Sequence, residues 1–188
     1  MSDGEATAGP ADAATETETD EDNEYGGVFG TFPYAFRHSE SRLLKSYVAI
    51  GGLLAGLVAI VFTFSLVTTV ASTLGTAGGT MTFARSFIIV VGALVVVPLI
   101  GPVVLVARRH RRSGSTLVYD RALAASGYLF AFSLYVTLVI TAPAELRDDP
   151  GGALAPVVGR LYDLPTVAGA VPPLLALGVG YLLHRRFR

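Results

Sequence analysis

Four stretches of the chain, residues 48–70, 86–107, 122–144 and 164–183, contain no charged side chain, and the sequence between them turns abruptly polar. A helix rising 1.5 Å per residue needs roughly 20 residues to cross a hydrocarbon layer of about 30 Å. All four reach that length. The pattern predicts an all-α membrane protein with four transmembrane helices.

The spans differ in detail. In the first, Gly52 and Gly56 form a GxxxG, which suits close packing within the bundle or between copies, and Ser65, Thr68, Thr69 and Ser72 follow a helical spacing that makes one hydroxyl face. Pro98, Gly101 and Pro102 interrupt the second, with a kink expected near Pro98 because that residue lacks an N–H and crowds the carbonyl of Leu94. The third is the most polar. At about 100° per residue its Ser126, Ser133, Thr137 and Thr141 share one face, which should point inward. The fourth carries Pro165, Pro172 and Pro173, so it inserts most weakly and relies on packing against the others.

The polar connectors set the orientation. Between the second and third spans lie Arg108, Arg109, His110, Arg111 and Arg112. One arginine at the centre of a membrane helix costs about 2.5–3.5 kcal/mol, so this cluster is expected to stay on the cytoplasmic side. Both termini then fall inside, which puts eleven Lys and Arg on the cytoplasmic side against Arg85, Arg147 and Arg160 outside. The segments 74–84 and 145–163 become external loops, the second with a short interfacial helix over 153–162. The expected location is the plasma membrane. Ser113, Gly114 and Ser115 read as a turn, with Asp120 as the N-cap of the third helix. A faint likeness between Ser41-Arg42-Leu43-Leu44 and Asp120-Arg121-Ala122-Leu123, each opening a hairpin, is read as coincidence and not as a repeat.

Residues 1–24 hold nine of the fifteen acids and no basic or aromatic residue, so the formal net charge of −1 conceals a basic body. This segment cannot bury enough apolar surface to offset the entropy of ordering, and it reads as a disordered acidic tail. It lacks the basic start and adjacent apolar run of a signal peptide. Residues 25–46 bring in Tyr25, Phe29, Phe32, Tyr34 and Phe36, then Arg37, Arg42 and Lys45, the chemistry of a membrane interface. Gly26, Gly27, Gly30 and Pro33 argue against one regular helix there, and a short helix from Pro33 or Ser39 is expected. The segment either lies on the membrane or docks as a latch on the mouth of the bundle.

The acidic tail, the single lysine against thirteen arginines, and segments such as Gly30-Thr31-Phe32-Pro33-Tyr34-Ala35-Phe36-Arg37 and Ala107-Arg108-Arg109-His110-Arg111-Arg112 resemble the small four-span membrane proteins of unknown function from haloarchaea. That resemblance covers the whole length and implies no activity and no functional residue.

The chemistry of the side chains narrows the function further. Without cysteine there is no disulfide, thiolate metal site or thiol nucleophile. His38, His110 and His184 have no second histidine or carboxylate at ligand spacing, so neither a metal site nor a cofactor is expected. No catalytic constellation emerges, and the chain is not expected to be an enzyme. The arginine cluster is explained by topology and lacks a base-reading fold, which argues against nucleic acid. The spans also lack the intramembrane carboxylate on which most ion-coupled carriers depend. Two readings remain. One is a membrane-embedded scaffold or accessory subunit that recruits a protein partner, with Arg108, Arg109, Arg111 and Arg112 meeting anionic lipid or that partner. The other is a passive channel or carrier for a small solute, with Thr68, Ser72, Ser133, Thr137 and Thr141 as a polar interior.

Overall fold

A computed structural model describes residues 27–73, 79–147 and 151–187; the acidic segment 1–24 lies outside them. Six α-helices follow in order: α1 (Gly27–His38), α2 (Arg42–Ser72), α3 (Gly79–Ser113), α4 (Leu117–Ile140), α5 (Ala155–Tyr162) and α6 (Val171–Phe187). Short 3-10 turns at Ala144–Leu146 and Thr166–Ala170 complete the described chain, which contains no strand. Four helices are long and apolar enough to cross a membrane: α2, α3, α4, and α6 together with the 3-10 turn before it. Their outward surfaces carry Leu53, Phe64, Phe87, Leu138 and Leu175 in the open, as helices bathed in lipid do.

The helix ends correct several expectations. Arg42 begins α2 six residues before the charge-free stretch, because the Ser41 hydroxyl caps it by accepting the Leu44 N–H at 3.3 Å. Residues 79–84, expected as external loop, already belong to α3. There the Arg85 guanidinium reaches back to the Thr73 carbonyl at 3.1 Å, supplying a cation to a helix C-terminus with unpaired carbonyls. The arginine cluster is not a loop either; it forms the last turns of α3. Asp120 is not an N-cap. Thr116 holds that place, its hydroxyl accepting the Tyr119 N–H at 3.3 Å, and Asp120 falls in the first turn of α4. The third span ends at Ile140 and not at residue 144, since Pro143 cannot continue it. The short helix expected over 153–162 is α5.

Proline is tolerated for two different reasons. Pro172 and Pro173 open α6, where their missing N–H groups fall among donors that lack an intrahelical partner anyway. Pro98 and Pro102 lie inside α3, which continues as α-helix through both. Their rings leave the carbonyls of Leu94 and Pro98 without the usual donor. Beside that gap the Tyr47 hydroxyl donates to the Leu99 carbonyl at 2.6 Å. The tyrosine ring fits there because Gly127 of α4 presents no side chain: a Cβ at Gly127 would stand 2.2 Å from the ring. Gly52 of the GxxxG is likewise occupied from within the molecule, by the ring of Phe32, whereas a Cβ at Gly56 would meet nothing within 4 Å.

The segment from Gly27 to His38 does form one helix, with Pro33 inside it, contrary to the reading of its glycines. Tertiary contact explains the difference. Ala35 is fully buried, and Phe32 and Tyr34 pack against a core of Leu44, Tyr47, Val103, Val106, Tyr119 and Leu123. In this structure α1 docks on α2 and α3. That core lies at the arginine-bearing end of the bundle. A smaller cluster of Ala55, Leu99, Phe130 and Ala176 sits deeper.

Candidate functional site

The basic end is organised around one carboxylate. Asp120 is 2% exposed, and a buried carboxylate needs several donors to offset lost hydration. It has three. Its Oδ2 accepts the Ser39 hydroxyl at 2.6 Å and His110 Nε2 at 3.0 Å, and its Oδ1 accepts the Ser115 hydroxyl at 2.5 Å. A carboxylate facing the imidazole fixes Nε2 as the protonated nitrogen, whatever the overall charge of the ring. Ser39 in turn accepts the Ser41 N–H at 3.1 Å. Asp120 therefore ties the α1–α2 connector, the end of α3 and the α3–α4 turn to α4. Among the described residues no buried side-chain nitrogen or oxygen lacks a partner. The structure does give His110 a carboxylate neighbour, although none lies at ligand spacing in the sequence. Ten residues separate it from Asp120, a spacing that no ligand motif uses; only the tight turn after α3 brings them together.

A second contact set joins α3, α4 and α6. The Tyr119 hydroxyl and His184 Nδ1 lie 2.8 Å apart. Above the Tyr119 ring sits the Arg109 guanidinium, 4.2 Å from its centre, which also donates to the Phe187 carbonyl at 2.5 Å. The four arginines are thus not equivalent. Arg109 is half-buried and engaged in packing, and Arg111, though exposed, lies over the Tyr34 ring of α1 at 4.5 Å. Arg108 and Arg112 are exposed and make no hydrogen bond or ion pair with the described residues.

The hydroxyl residues divide as well. Thr68 and Ser72 are exposed and hydrogen-bond only to carbonyls of their own helix, so they do not contribute to an interior. The inward part of that region is Thr69 and Thr73 instead. On α4 the expected face does turn inward. Ser133 is buried and bonds to the Phe130 carbonyl at 2.6 Å, while Thr141 bonds to the Thr137 carbonyl at 2.8 Å. Thr137 reaches outside its helix, donating to the Gly169 carbonyl at 2.7 Å. Gly169 is required at that contact, since a Cβ there would lie 2.7 Å from the Thr141 methyl.

Between α3 and α6, floored by α4, a hollow of about 240 Å³ is bounded by Pro98, Gly101, Leu105, Phe130, Leu177 and Gly180 among others. Ser126, Tyr181 and His184 are the side chains with polar atoms along its wall.

Neither the curated proteins nor the solved structures offer a match to this chain. One family model does match, and it spans residues 1–188. That match covers the whole length, so the chain, with its four helices of membrane length, belongs to the family described as Domain of unknown function (DUF8056).

Proposed function

We propose that this integral membrane protein is a non-enzymatic scaffold or accessory subunit that presents its basic end to a protein partner. We place it in the plasma membrane with both termini cytoplasmic, following the charge count of eleven to three and the cost of carrying arginine across lipid. The observation that carries this reading is the use of the α4 hydroxyls. Thr137 is spent on Gly169, and Ser133 and Thr141 on carbonyls of their own helix, which leaves little to line a wet path. The hollows along α2 and α3 are mostly apolar too, with Phe32, Gly52, Val96 and Ile100 on one and Phe62, Leu66 and Val97 on another. At the basic end, by contrast, Arg108 and Arg112 are exposed and have no partner among the described residues, and Asp120 is already enclosed, so the surface offers cations.

The test separates scaffold from passive channel. Single cysteines replacing Ser133, Thr137 and Thr141 in this cysteine-free chain are exposed to small water-soluble thiol reagents, and solute flux is followed in reconstituted vesicles. The scaffold reading expects protection at all three positions and no flux from the wild type. Reaction at these sites accompanied by flux that Thr137→Val abolishes would replace it with the channel. Crosslinking in native membranes followed by mass spectrometry should recover a protein joined to the basic end.

A further inference from the structure

The cleft between α3 and α6 and the arginines beyond it share one face of one helix. At about 100° per residue, Pro98, Gly101, Pro102 and Leu105 span an arc of roughly 100° on α3; Arg109 and Arg112 fall inside that arc, and Arg108 lies about 20° beyond its edge. The lining from Pro98 to Leu105 runs about 10 Å along the helix, and the next two turns carry the cations. An apolar trough thus continues directly into a cationic mouth. On the opposite wall, His184 lies at the same end of α6. The two walls, α3 and α6, each pack on α4 and are joined at the mouth by the Arg109 bond to the Phe187 carbonyl.

We infer that this cleft is a binding site for a single anionic phospholipid, one hydrocarbon chain lying against Gly101, Leu105 and Leu177 and the phosphate meeting Arg108 and Arg112. Three observations converge on that occupant. The lining is almost wholly apolar, so water gains too few hydrogen bonds to fill it. The helices on either side are membrane spans, which makes lipid the solvent at its opening. The mouth has charge to offer: Arg108 and Arg112 have no partner among the described residues, and Asp120 is enclosed by Ser39, His110 and Ser115. Arginine suits the phosphate because its planar fork donates two parallel hydrogen bonds. Arg109 positions the mouth by holding α6 to α3, and Gly101 keeps the trough open, since a Cβ there would meet nothing within 4 Å. This inference rests on the four spans and the cleft, not on the scaffold proposal, and either can fail alone.

Native mass spectrometry of the full chain in detergent, titrated with phosphatidylglycerol or phosphatidylcholine, tests it. One phosphatidylglycerol should be retained per chain, at least tenfold more tightly than phosphatidylcholine. The double variant Arg108→Gln/Arg112→Gln should bring the two lipids to within about threefold, and Gly101→Leu, which fills the trough without touching the cations, should weaken retention of both lipids about tenfold. Unchanged helicity and elution volume of each variant verify the fold. Equal retention of the two lipids by the wild type would overturn the proposal, as would undiminished binding by folded Gly101→Leu. Displacement of the lipid by glycerol phosphate at equal concentration would make this a free-phosphate site, and a mass showing a second copy of the chain in place of lipid would make it a helix interface; either result refutes a lipid site.

Discussion

Ser39 and Asp120 are 81 residues apart in sequence, and the hydroxyl of one lies 2.6 Å from the carboxylate of the other. Through that bond the connector after α1 is fastened to the first turn of α4. Removing the carboxylate leaves the donors of Ser39, His110 and Ser115 without their acceptor in a buried site, and each buried donor left unsatisfied costs about 1–3 kcal/mol. Asp120→Ala should therefore lower thermal stability in detergent severely, and Ser39→Ala by about 1.5–3 kcal/mol, typical of a hydrogen bond to a charged group. Limited trypsin digestion should show faster cleavage after Arg37 and Arg42 in both variants as α1 is released. Wild-type digestion rates in Ser39→Ala would show that the bond does not hold α1.

Gly127 and Gly56 should respond in opposite ways to one added methyl. At Gly127 the new Cβ would stand 2.2 Å from the Tyr47 ring, a contact that rigid packing of three helices cannot relieve cheaply, whereas Gly56 has nothing within 4 Å. Overpacking of this kind costs about 1–3 kcal/mol. Gly127→Ala should destabilise by that amount and Gly56→Ala should be neutral or slightly stabilising. Tyr47→Phe, which loses only the bond to Leu99, should cost about 0.6 kcal/mol, the mean for hydrogen bonds between membrane helices. Unfolding in mixed micelles reads all three, and a damaging Gly56→Ala would restore the GxxxG as an interface between copies.

The arginines should separate under conservative substitution. Lysine keeps the charge but loses the planar guanidinium, so Arg109→Lys, stacked on Tyr119 and bonded to Phe187, should lose about 0.5–1 kcal/mol of cation–π attraction and loosen the end of α6. Arg111→Lys, over Tyr34, should behave similarly on α1. Arg108→Lys and Arg112→Lys should leave stability unchanged. Equal stability across all four variants would show that the ring contacts contribute nothing.

Orientation is read by labelling. Gly114 holds φ +75°, where a side chain is strained, so the cysteine is better placed at Leu117, which is 38% exposed just beyond the turn. A membrane-impermeant maleimide applied to intact cells should react with cysteine at position 151 and not at 117. Labelling at 117 alone would invert the proposed topology.

The sequence by itself determined the class of structure: four charge-free stretches of 20 residues or more lack the short alternating pattern of barrel strands, which leaves the helix, with its backbone bonds made internally, as their stable form in lipid. It also placed a short helix over 153–162 between the third and fourth spans, where α5 runs from Ala155 to Tyr162. It oriented α4 by its hydroxyl face, but it could not determine for the other spans which face meets protein. In a soluble helix the polar side reveals the outside, but here both lipid and bundle interior are apolar, so the contrast that orients a helix is missing. Thr68 and Thr137 follow the same kind of hydroxyl spacing, yet one is exposed and the other bonds across to Gly169. Asp120 shows the same limit. Its type and place fit an N-cap, a local rule, but the packing of α1 and the turn after α3 gave it three donors, and those long-range partners made it the centre of the basic end.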